Sequence, residues 1–129
     1  MATIFGKIVA GEIPAHKIAE NEEFLAFLDV FPCHEGHTLV IPKKETDYLF
    51  DLDDDAYTRL FAFAKTLEPA LKKAVPCTKV GLAVVGLEVP HVHVHLVPMD
   101  HISDMDFTSK LKVSQEELAA TAERIRAFL

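Results

Sequence analysis

The sequence lacks an apolar stretch long enough to cross a membrane, since a spanning helix needs about 20 consecutive apolar residues. The apolar part of the N-terminal segment MATIFGKIVAGEIP is too short for a secretory signal, so none is expected. Cysteine is also scarce. Cys33 and Cys77 form no C-x-x-C pair, which argues against a disulfide framework and favours a reducing compartment. These absences predict a cytoplasmic protein that does not associate with membranes.

Basic residues are also fewer than acidic ones. The chain has 13 lysine and arginine residues against 20 aspartate and glutamate residues, which gives a formal net charge of −7. Proteins that bind nucleic-acid polymers carry basic patches, so no such polymer is expected as a partner. A small anion is not excluded, because a local cluster of donors can bind phosphate inside an acidic protein.

No internal repeat or low-complexity tract interrupts the 129 residues, half of which are hydrophobic. This length and composition predict a single domain over residues 1–129. Short apolar runs bounded by turn residues predict strands at 24–28, 38–41, 79–85 and 91–97. The first forty residues as a whole are predicted to form short extended pieces separated by turns.

Two later stretches have helical periodicity. Apolar residues recur every three or four positions from Leu52 to Ala74, which predicts one amphipathic helix with a kink near Pro69 and the acidic run 53–55 at its start. The S-x-x-E motif that begins at Ser114 predicts a C-terminal helix over about residues 114–128. Because the links between strands are too short for crossover helices, the predicted fold class is α+β with an antiparallel sheet.

The segment HVHVHLV at residues 91–97 contains three of the seven histidines. Side chains of a strand point to opposite faces in turn, so His91, His93 and His95 are predicted to share one exposed face of the sheet. A chance cluster of solvated histidines is the ordinary explanation for one such residue, but strict alternation of three makes that explanation a poor one.

Two chemical hypotheses remain open from the residues alone. H-x-H on a strand can place two metal ligands, although a zinc site would need further ligands. Alternatively, a neutral imidazole is a good nucleophile near pH 7. Attack on phosphorus would form a covalent phosphohistidine, and neighbouring imidazoles would orient the nucleophile and stabilise charge.

The chain resembles the histidine triad (HIT) superfamily. The signature of that superfamily is His-φ-His-φ-His-φ-φ, where φ is an apolar residue. Residues 91–97 fit that signature at every position. The segments TIFGKI, GEIP, AFLD and GHTLVIPK resemble the Hint-type branch, so that the likeness covers most of residues 3–97. The resemblance implies a five-stranded antiparallel sheet, one long central helix, an appended C-terminal helix and pairing into a homodimer.

The resemblance also implies a hydrolase or transferase that acts on nucleoside phosphates. By position, His93 corresponds to the nucleophile that forms a nucleotidyl-histidine intermediate. His95 corresponds to the residue that hydrogen-bonds the phosphate or the leaving group, His91 to an orienting residue and His37 to a fourth active-site histidine. Asp29 corresponds to a carboxylate that binds the ribose hydroxyls. Four further residues correspond to apolar walls around the base, namely Phe5, Ile8, Phe27 and Val30.

The chain departs from its relatives in two places. Zinc-holding relatives carry Cys-x-x-Cys where this sequence has Thr3 to Gly6, and a histidine where it has Glu45, so no metal and no other cofactor is predicted. The loop before the triad is shorter than in Hint-type relatives and contains Glu88, which would repel a phosphate unless it points away or meets a cationic leaving group.

The leading prediction is a purine-nucleotide phosphoramidase or related nucleotidyl hydrolase, with a small-molecule nucleotide as substrate. A hydrolase of dinucleoside polyphosphates also fits the triad. The alternatives outside this class are a nucleotide-binding or scaffold protein with little catalysis, suggested by Glu88, and a histidine-ligated metalloenzyme. Aromatic residues of the main helix give a weak indication of a homodimer interface; they are Tyr57, Phe61 and Phe63.

Overall fold

A computed structural model of the protein describes residues 2–129. Within these residues the chain forms a five-stranded antiparallel sheet and three α-helices, which confirms the α+β prediction. The strands are β1 (Lys17–Glu20), β2 (Phe24–Leu28), β3 (Thr38–Pro42), β4 (Lys79–Ala83) and β5 (Val94–Met99). The helices are α1 (Ile4–Val9), α2 (Asp54–Ala74) and α3 (Gln115–Arg126), with 3₁₀ turns at Leu49–Asp51 and Ile102–Met105.

The strand order across the sheet is β1-β2-β3-β5-β4. The first three strands follow one another as neighbours, as the short links predicted. The link from β3 to β4 is different, because it contains the whole of α2 and places β4 at the far edge. Strand β5 then pairs with both β3 and β4, so the histidine segment enters the middle of the sheet.

Both faces of the sheet are covered, and alternate residues of each central strand enter different cores. One core lies between the sheet and helices α2 and α3 and takes Ala26, Val40 and Val94 from the three central strands. The opposite face packs against α1 and includes Phe27 and Leu39. This two-sided burial explains the nearly continuous apolar runs of β2 and β3.

Helix α1 corrects the prediction that the first forty residues form only extended pieces. Thr3 is its N-cap, and the Thr3 hydroxyl accepts a hydrogen bond of 3.1 Å from the Gly6 amide. Phe5 and Ile8, one helical turn apart, are both buried against the sheet. The sequence signal was weak because the helix has only six residues and contains a glycine.

Helix α2 begins at Asp54, two residues after the predicted Leu52, and α3 begins directly after the predicted Ser114. The Asp53 carboxylate accepts a 2.7 Å hydrogen bond from the Ala56 amide, so it is the N-cap of α2, which continues through Pro69 to Ala74. Ser114 caps α3 in the same way. Among residues 2–129, no helix combines the length and apolar character needed to span a bilayer.

Strand β5 begins at Val94, three residues later than predicted. The preceding residues leave the regular ladder, because the His91 amide bonds to the Val89 carbonyl and the Val92 amide bonds to the Thr46 carbonyl, each at 2.8 Å. Residues 91–93 nevertheless continue the alternation of faces that the strand imposes.

Replacing Gly36 with alanine is expected to destabilise the fold by roughly 2–4 kcal/mol, from positive-φ strain and overpacking. Gly36 has φ +84°, and an added Cβ would lie 2.9 Å from Val75 Cγ2 and 3.1 Å from Pro98 Cγ. Gly11→Ala is the matched control, because Gly11 has φ +80° but no neighbour within 4 Å of an added Cβ. Urea unfolding should give a distinctly larger loss for Gly36→Ala; equal losses would contradict the packing argument.

Candidate active site

The three histidines of the triad do lie on the same side of the sheet, but they are not an exposed row as predicted. Their exposed fractions are 0% for His91, 5% for His93 and 8% for His95. The sheet face that carries them is covered by α1, and the Phe5 ring packs edge-on against His93 with centroids 5.0 Å apart. Burial, rather than exposure, therefore sets the chemistry of these imidazoles.

A cavity of about 360 Å³ opens beside this covered face. Eight of the nine predicted site residues line it, and they are Phe5, Ile8, Phe27, Asp29, Val30, His37, His93 and His95. The ninth, His91, is fully buried behind the lining. Val30 lies at the rim, since 40% of its surface is exposed. The structure thus gathers residues that are distant in sequence around one space.

The hydrogen bond made by His93 determines which ring nitrogen is available for chemistry. His93 Nδ1 lies 2.7 Å from the carbonyl oxygen of His91, which only accepts, so Nδ1 carries the proton. The lone pair of a neutral His93 is therefore on Nε2. Burial lowers the pKa of His93 below its usual value, against smaller opposing effects of the His91 carbonyl and Asp29. The ring is neutral at pH 7.

His37 and His95 form a second pair with defined tautomers. The Cys33 amide donates to His37 Nδ1 at 3.2 Å, so His37 carries its proton on Nε2 and donates it to His95 Nδ1 at 2.9 Å. Because His95 Nδ1 accepts this hydrogen bond, the single N–H proton of a neutral His95 is on Nε2. Desolvation lowers the pKa of His37 to about 4 and that of His95 to about 3, with the nearby positive groups adding to the effect.

His91 is held by a network at the start of α1. Its Nε2 lies 2.8 Å from the Pro42 carbonyl oxygen, to which it donates, and its Nδ1 lies 3.2 Å from the Thr3 hydroxyl. Glu45 Oε1 accepts from the Thr3 amide at 2.6 Å and lies 2.8 Å from the Thr3 hydroxyl. A Cβ at Gly6 would be 2.2 Å from this oxygen, so the glycine makes room for the carboxylate. The network fixes the His91 backbone that orients His93.

The residues of this network do not fit the zinc site that the resemblance attributes to other family members. Gly6 offers no side-chain ligand atom, Glu45 Oε1 accepts hydrogen bonds from Thr3, and the two ring nitrogens of His91 contact the Pro42 carbonyl and the Thr3 hydroxyl. A second group brings one possible ligand atom each from Asp29, His37 and His95 within 4.8 Å of one another. There, the His37 Nε2 proton points to His95 Nδ1 in a hydrogen bond rather than leaving two lone pairs for an ion.

Asp29 follows β2 and lies at the polar end of the cavity. One carboxylate oxygen accepts a 2.9 Å hydrogen bond from the Phe31 amide, and the other is 3.8 Å from His37 Nε2. Burial raises the pKa of this carboxyl, an effect that the Phe31 hydrogen bond and the positive charge of Lys110 partly oppose. The cavity therefore has apolar walls, a histidine cluster and two carboxylates, those of Asp29 and Glu88.

The structure adds lining residues that the sequence did not indicate. Phe107 packs on the His95 ring with centroids 4.4 Å apart, and Cys33 and Lys110 also reach the cavity. Phe107 and Lys110 belong to an irregular segment without periodicity, so no local pattern points to them. Glu88 also lines the cavity; its side chain is 76% exposed, and its carboxylate lies 3.6 Å from the Lys110 ammonium.

Comparison with known proteins agrees with this geometry. A family model described as HIT domain matches residues 10–102, and the chain belongs to this family. An uncharacterised HIT-like protein of Methanocaldococcus jannaschii is 40% identical over 99 residues, which cover 74% of this chain and 77% of that one. The adenosine 5'-monophosphoramidase of Schizosaccharomyces pombe is 33% identical over 129 residues, which cover 97% and 96% of the two chains.

Solved structures extend the likeness to the whole fold. A Hit-like protein from Bartonella henselae, described as involved in cell-cycle regulation, superimposes with a TM-score of 0.86 at 30% identity, over 98% of this chain and 96% of its own. A Zn-bound histidine triad family protein from Mycobacterium smegmatis gives a TM-score of 0.84 at 28% identity, over 98% and 92%. The histidine triad superfamily and the predicted α+β fold are thereby confirmed.

The buried imidazoles are expected to make stability fall as the pH drops from about 6.5 to about 4. His37 and His95 resist protonation in the folded state, with pKa values of about 4 and about 3, but protonate normally when unfolded. The unfolded state then binds more protons, so stability rises with pH in this window by up to about 1.4 kcal/mol per pH unit for each ring.

Urea unfolding of wild type and His37→Gln between pH 4 and 7 tests this expectation. The variant should have a shallower dependence of unfolding free energy on pH, whatever its absolute stability. His101→Gln, at an exposed position, is the control that should keep the wild-type slope. An unchanged slope in His37→Gln would contradict the proposed titration.

Proposed function

We propose that the protein is a nucleotide phosphoramidase or related nucleotidyl hydrolase that acts on a purine nucleoside 5'-phosphate conjugate through a covalent nucleotidyl-His93 intermediate. The observation that carries this proposal is the tautomer of His93, whose Nδ1 is bound to the His91 carbonyl. Its Nε2 lone pair is therefore the nucleophilic atom on a ring that lines the cavity. The phosphoramidase activity named for the fission yeast relative supports the same reaction class.

In the first step, His93 Nε2 attacks the α-phosphorus and forms a P–N bond. The bond from phosphorus to the leaving nitrogen breaks, its electron pair goes to that nitrogen, and the nitrogen takes up one proton to depart as an amine. His95 Nε2–H is placed by the His37 hydrogen bond to donate to a phosphate oxygen or to the leaving atom. His91 acts only by positioning His93.

In the second step, water attacks phosphorus, the P–N bond to His93 breaks and one proton is released. The nucleoside monophosphate leaves, and His93 returns to its starting tautomer. We assign the ribose hydroxyls to the Asp29 carboxylate, which accepts hydrogen bonds and lies at the polar end of the cavity. The base then lies among the apolar side chains of Phe5, Ile8, Phe27 and Val30, which line the other part.

Replacing His93 with alanine should lower turnover of adenosine 5'-monophosphoramidate by at least about 1,000-fold, because the nucleophile is lost. His101→Ala, at an exposed position, is the matched control and should retain wild-type turnover. A parallel assay with a diadenosine polyphosphate separates the phosphoramidase from the related polyphosphate hydrolase. Intact-mass spectrometry of quenched wild type should detect one added nucleotidyl group that His93→Ala lacks. Equal turnover by wild type and His93→Ala would contradict the mechanism.

A protein that binds nucleotides with little catalysis is the competing hypothesis, and the position of Glu88 favours it. This carboxylate lines the cavity and brings a second negative charge near the site of an anionic substrate. Measurable affinity for AMP without turnover of either substrate would support that hypothesis over ours.

We also propose that the protein acts in the cytoplasm as a homodimer, with no membrane or nucleic-acid polymer as partner. The low number of cysteines, two in 129 residues, supports a reducing compartment. An aromatic surface supports the dimer: Tyr57 packs on Phe61 with centroids 4.9 Å apart, and the adjoining Phe50 is 68% exposed.

Sedimentation at micromolar concentration should give twice the chain mass of 14.3 kDa, and a monomer would contradict the proposal.

A further inference from the structure

The charge around the cavity is unusual for a site that would accept a phosphate. His37, His93 and His95 are neutral at pH 7, because burial lowers the pKa of each ring. Two carboxylates line the cavity, and among the described lining residues Lys110 is the single lysine or arginine. An anionic substrate would therefore meet excess negative charge unless this ammonium is directed towards it.

Lys110 follows a hydrogen-bonded turn that lies between the Ile102–Met105 3₁₀ turn and α3. The Asp106 carboxylate accepts hydrogen bonds from the Thr108 amide at 3.0 Å and from the Thr108 hydroxyl at 2.6 Å. The Leu111 amide donates to the Pro32 carbonyl at 2.7 Å, which ties the turn to the loop after β2. Phe107 packs on His95 from the same turn. This turn therefore brings Lys110 to the lining of the cavity that holds His37, His93 and His95.

The contact that Lys110 makes is weak and replaceable. Its ammonium lies 3.6 Å from the Glu88 carboxylate, and the two side chains are 41% and 76% exposed. Exposed ion pairs of this kind contribute little, since solvent screens them. A phosphate group with two or three anionic oxygens would compete effectively with one exposed carboxylate for the ammonium.

The field of Lys110 reaches the catalytic groups. Burial is the main cause of the lowered pKa of His37 and of His95; the positive charge of Lys110 adds to it, as the next largest effect at His37 and as the smallest at His95, and it opposes the raised pKa of Asp29. Lys110 lines the same cavity as Asp29 and His93, and the phosphorus would lie in this cavity to be within reach of His93. Lys110 also lies outside residues 10–102, which the family model matches.

We propose that Lys110 is the residue that binds the anionic phosphate oxygens of the nucleotide and that it exchanges Glu88 for phosphate when the ligand enters. The identification of the ligand as a nucleotide rests on the function proposed above. The contribution of Lys110 itself rests on its place in the cavity, its pairing with Glu88 and the neutrality of the surrounding rings.

Calorimetric titration with AMP and with adenosine tests the charge-specific role. Lys110→Met retains most of the aliphatic stem but removes the charge. It should weaken AMP binding by about tenfold or more, the loss typical of a charge-assisted hydrogen bond, while adenosine binding changes less than about twofold. Lys112→Met is the matched control, since Lys112 is exposed two residues further along and does not line this cavity. It should bind both ligands as wild type does.

Glu88→Gln gives the opposite expectation. Removing the competing carboxylate should tighten AMP binding by about two- to fivefold, because Lys110 is released. The AMP affinity of wild type should also fall more steeply with added NaCl than that of Lys110→Met. Unchanged AMP binding by Lys110→Met, or equal losses for AMP and adenosine, would overturn the proposal, the second outcome indicating a purely structural role.

The outcomes also separate this proposal from the proposed function. Lys110-dependent AMP binding without turnover would support the phosphate site while contradicting the hydrolase. Turnover through His93 with normal AMP binding by Lys110→Met would contradict the phosphate site alone. A wild-type protein that binds neither AMP nor adenosine would contradict both.

Discussion

The hydrogen bond from His93 Nδ1 to the carbonyl oxygen of His91 determines the chemistry that the site can perform. A carbonyl only accepts, so the bond places the proton on Nδ1 and the lone pair on Nε2. The carbonyl is in position because the chain does not enter the β5 ladder until Val94, while the His91 ring is anchored to Pro42. The irregular segment before the strand, which interrupts regular pairing, is therefore what orients the central imidazole.

Burial has two opposing consequences at this site. It keeps the imidazoles neutral, which favours nucleophilic attack near neutral pH. It also costs stability, because polar rings are removed from water and are tolerated only when their hydrogen bonds are made. His37 Nδ1 accepts a hydrogen bond from the Cys33 amide, and His37 Nε2 donates one to His95 Nδ1. The same hydrogen bonds that offset the burial cost thus assign the tautomers on which the chemistry depends.

Much of the fold could be predicted because it depends on local patterns. The caps at Asp53 and Ser114 and the run at residues 24–28 are signals carried by a few adjacent residues. Helix α1 was missed because six residues with a central glycine give too short a period to distinguish from a turn. The predicted exposure of the triad is wrong for a related reason: Phe5 of that same helix packs on His91 and His93, and Phe107, from an irregular segment, packs on His95.

The predicted site residues came mostly from resemblance to a family, and this explains which residues escaped prediction. A family signature extends only as far as its members agree, and the match ends at residue 102. Beyond it, a turn stabilised by Asp106 returns the chain to the cavity, so Phe107 and Lys110 become neighbours of His95 through tertiary structure alone. Neutral imidazoles supply lone pairs and protons but no net charge, and Lys110 is the single lysine or arginine among the described residues that line the cavity. Lys110 lies outside the matched residues, and its side chain takes no part in the hydrogen bonds that hold His37, His93 and His95.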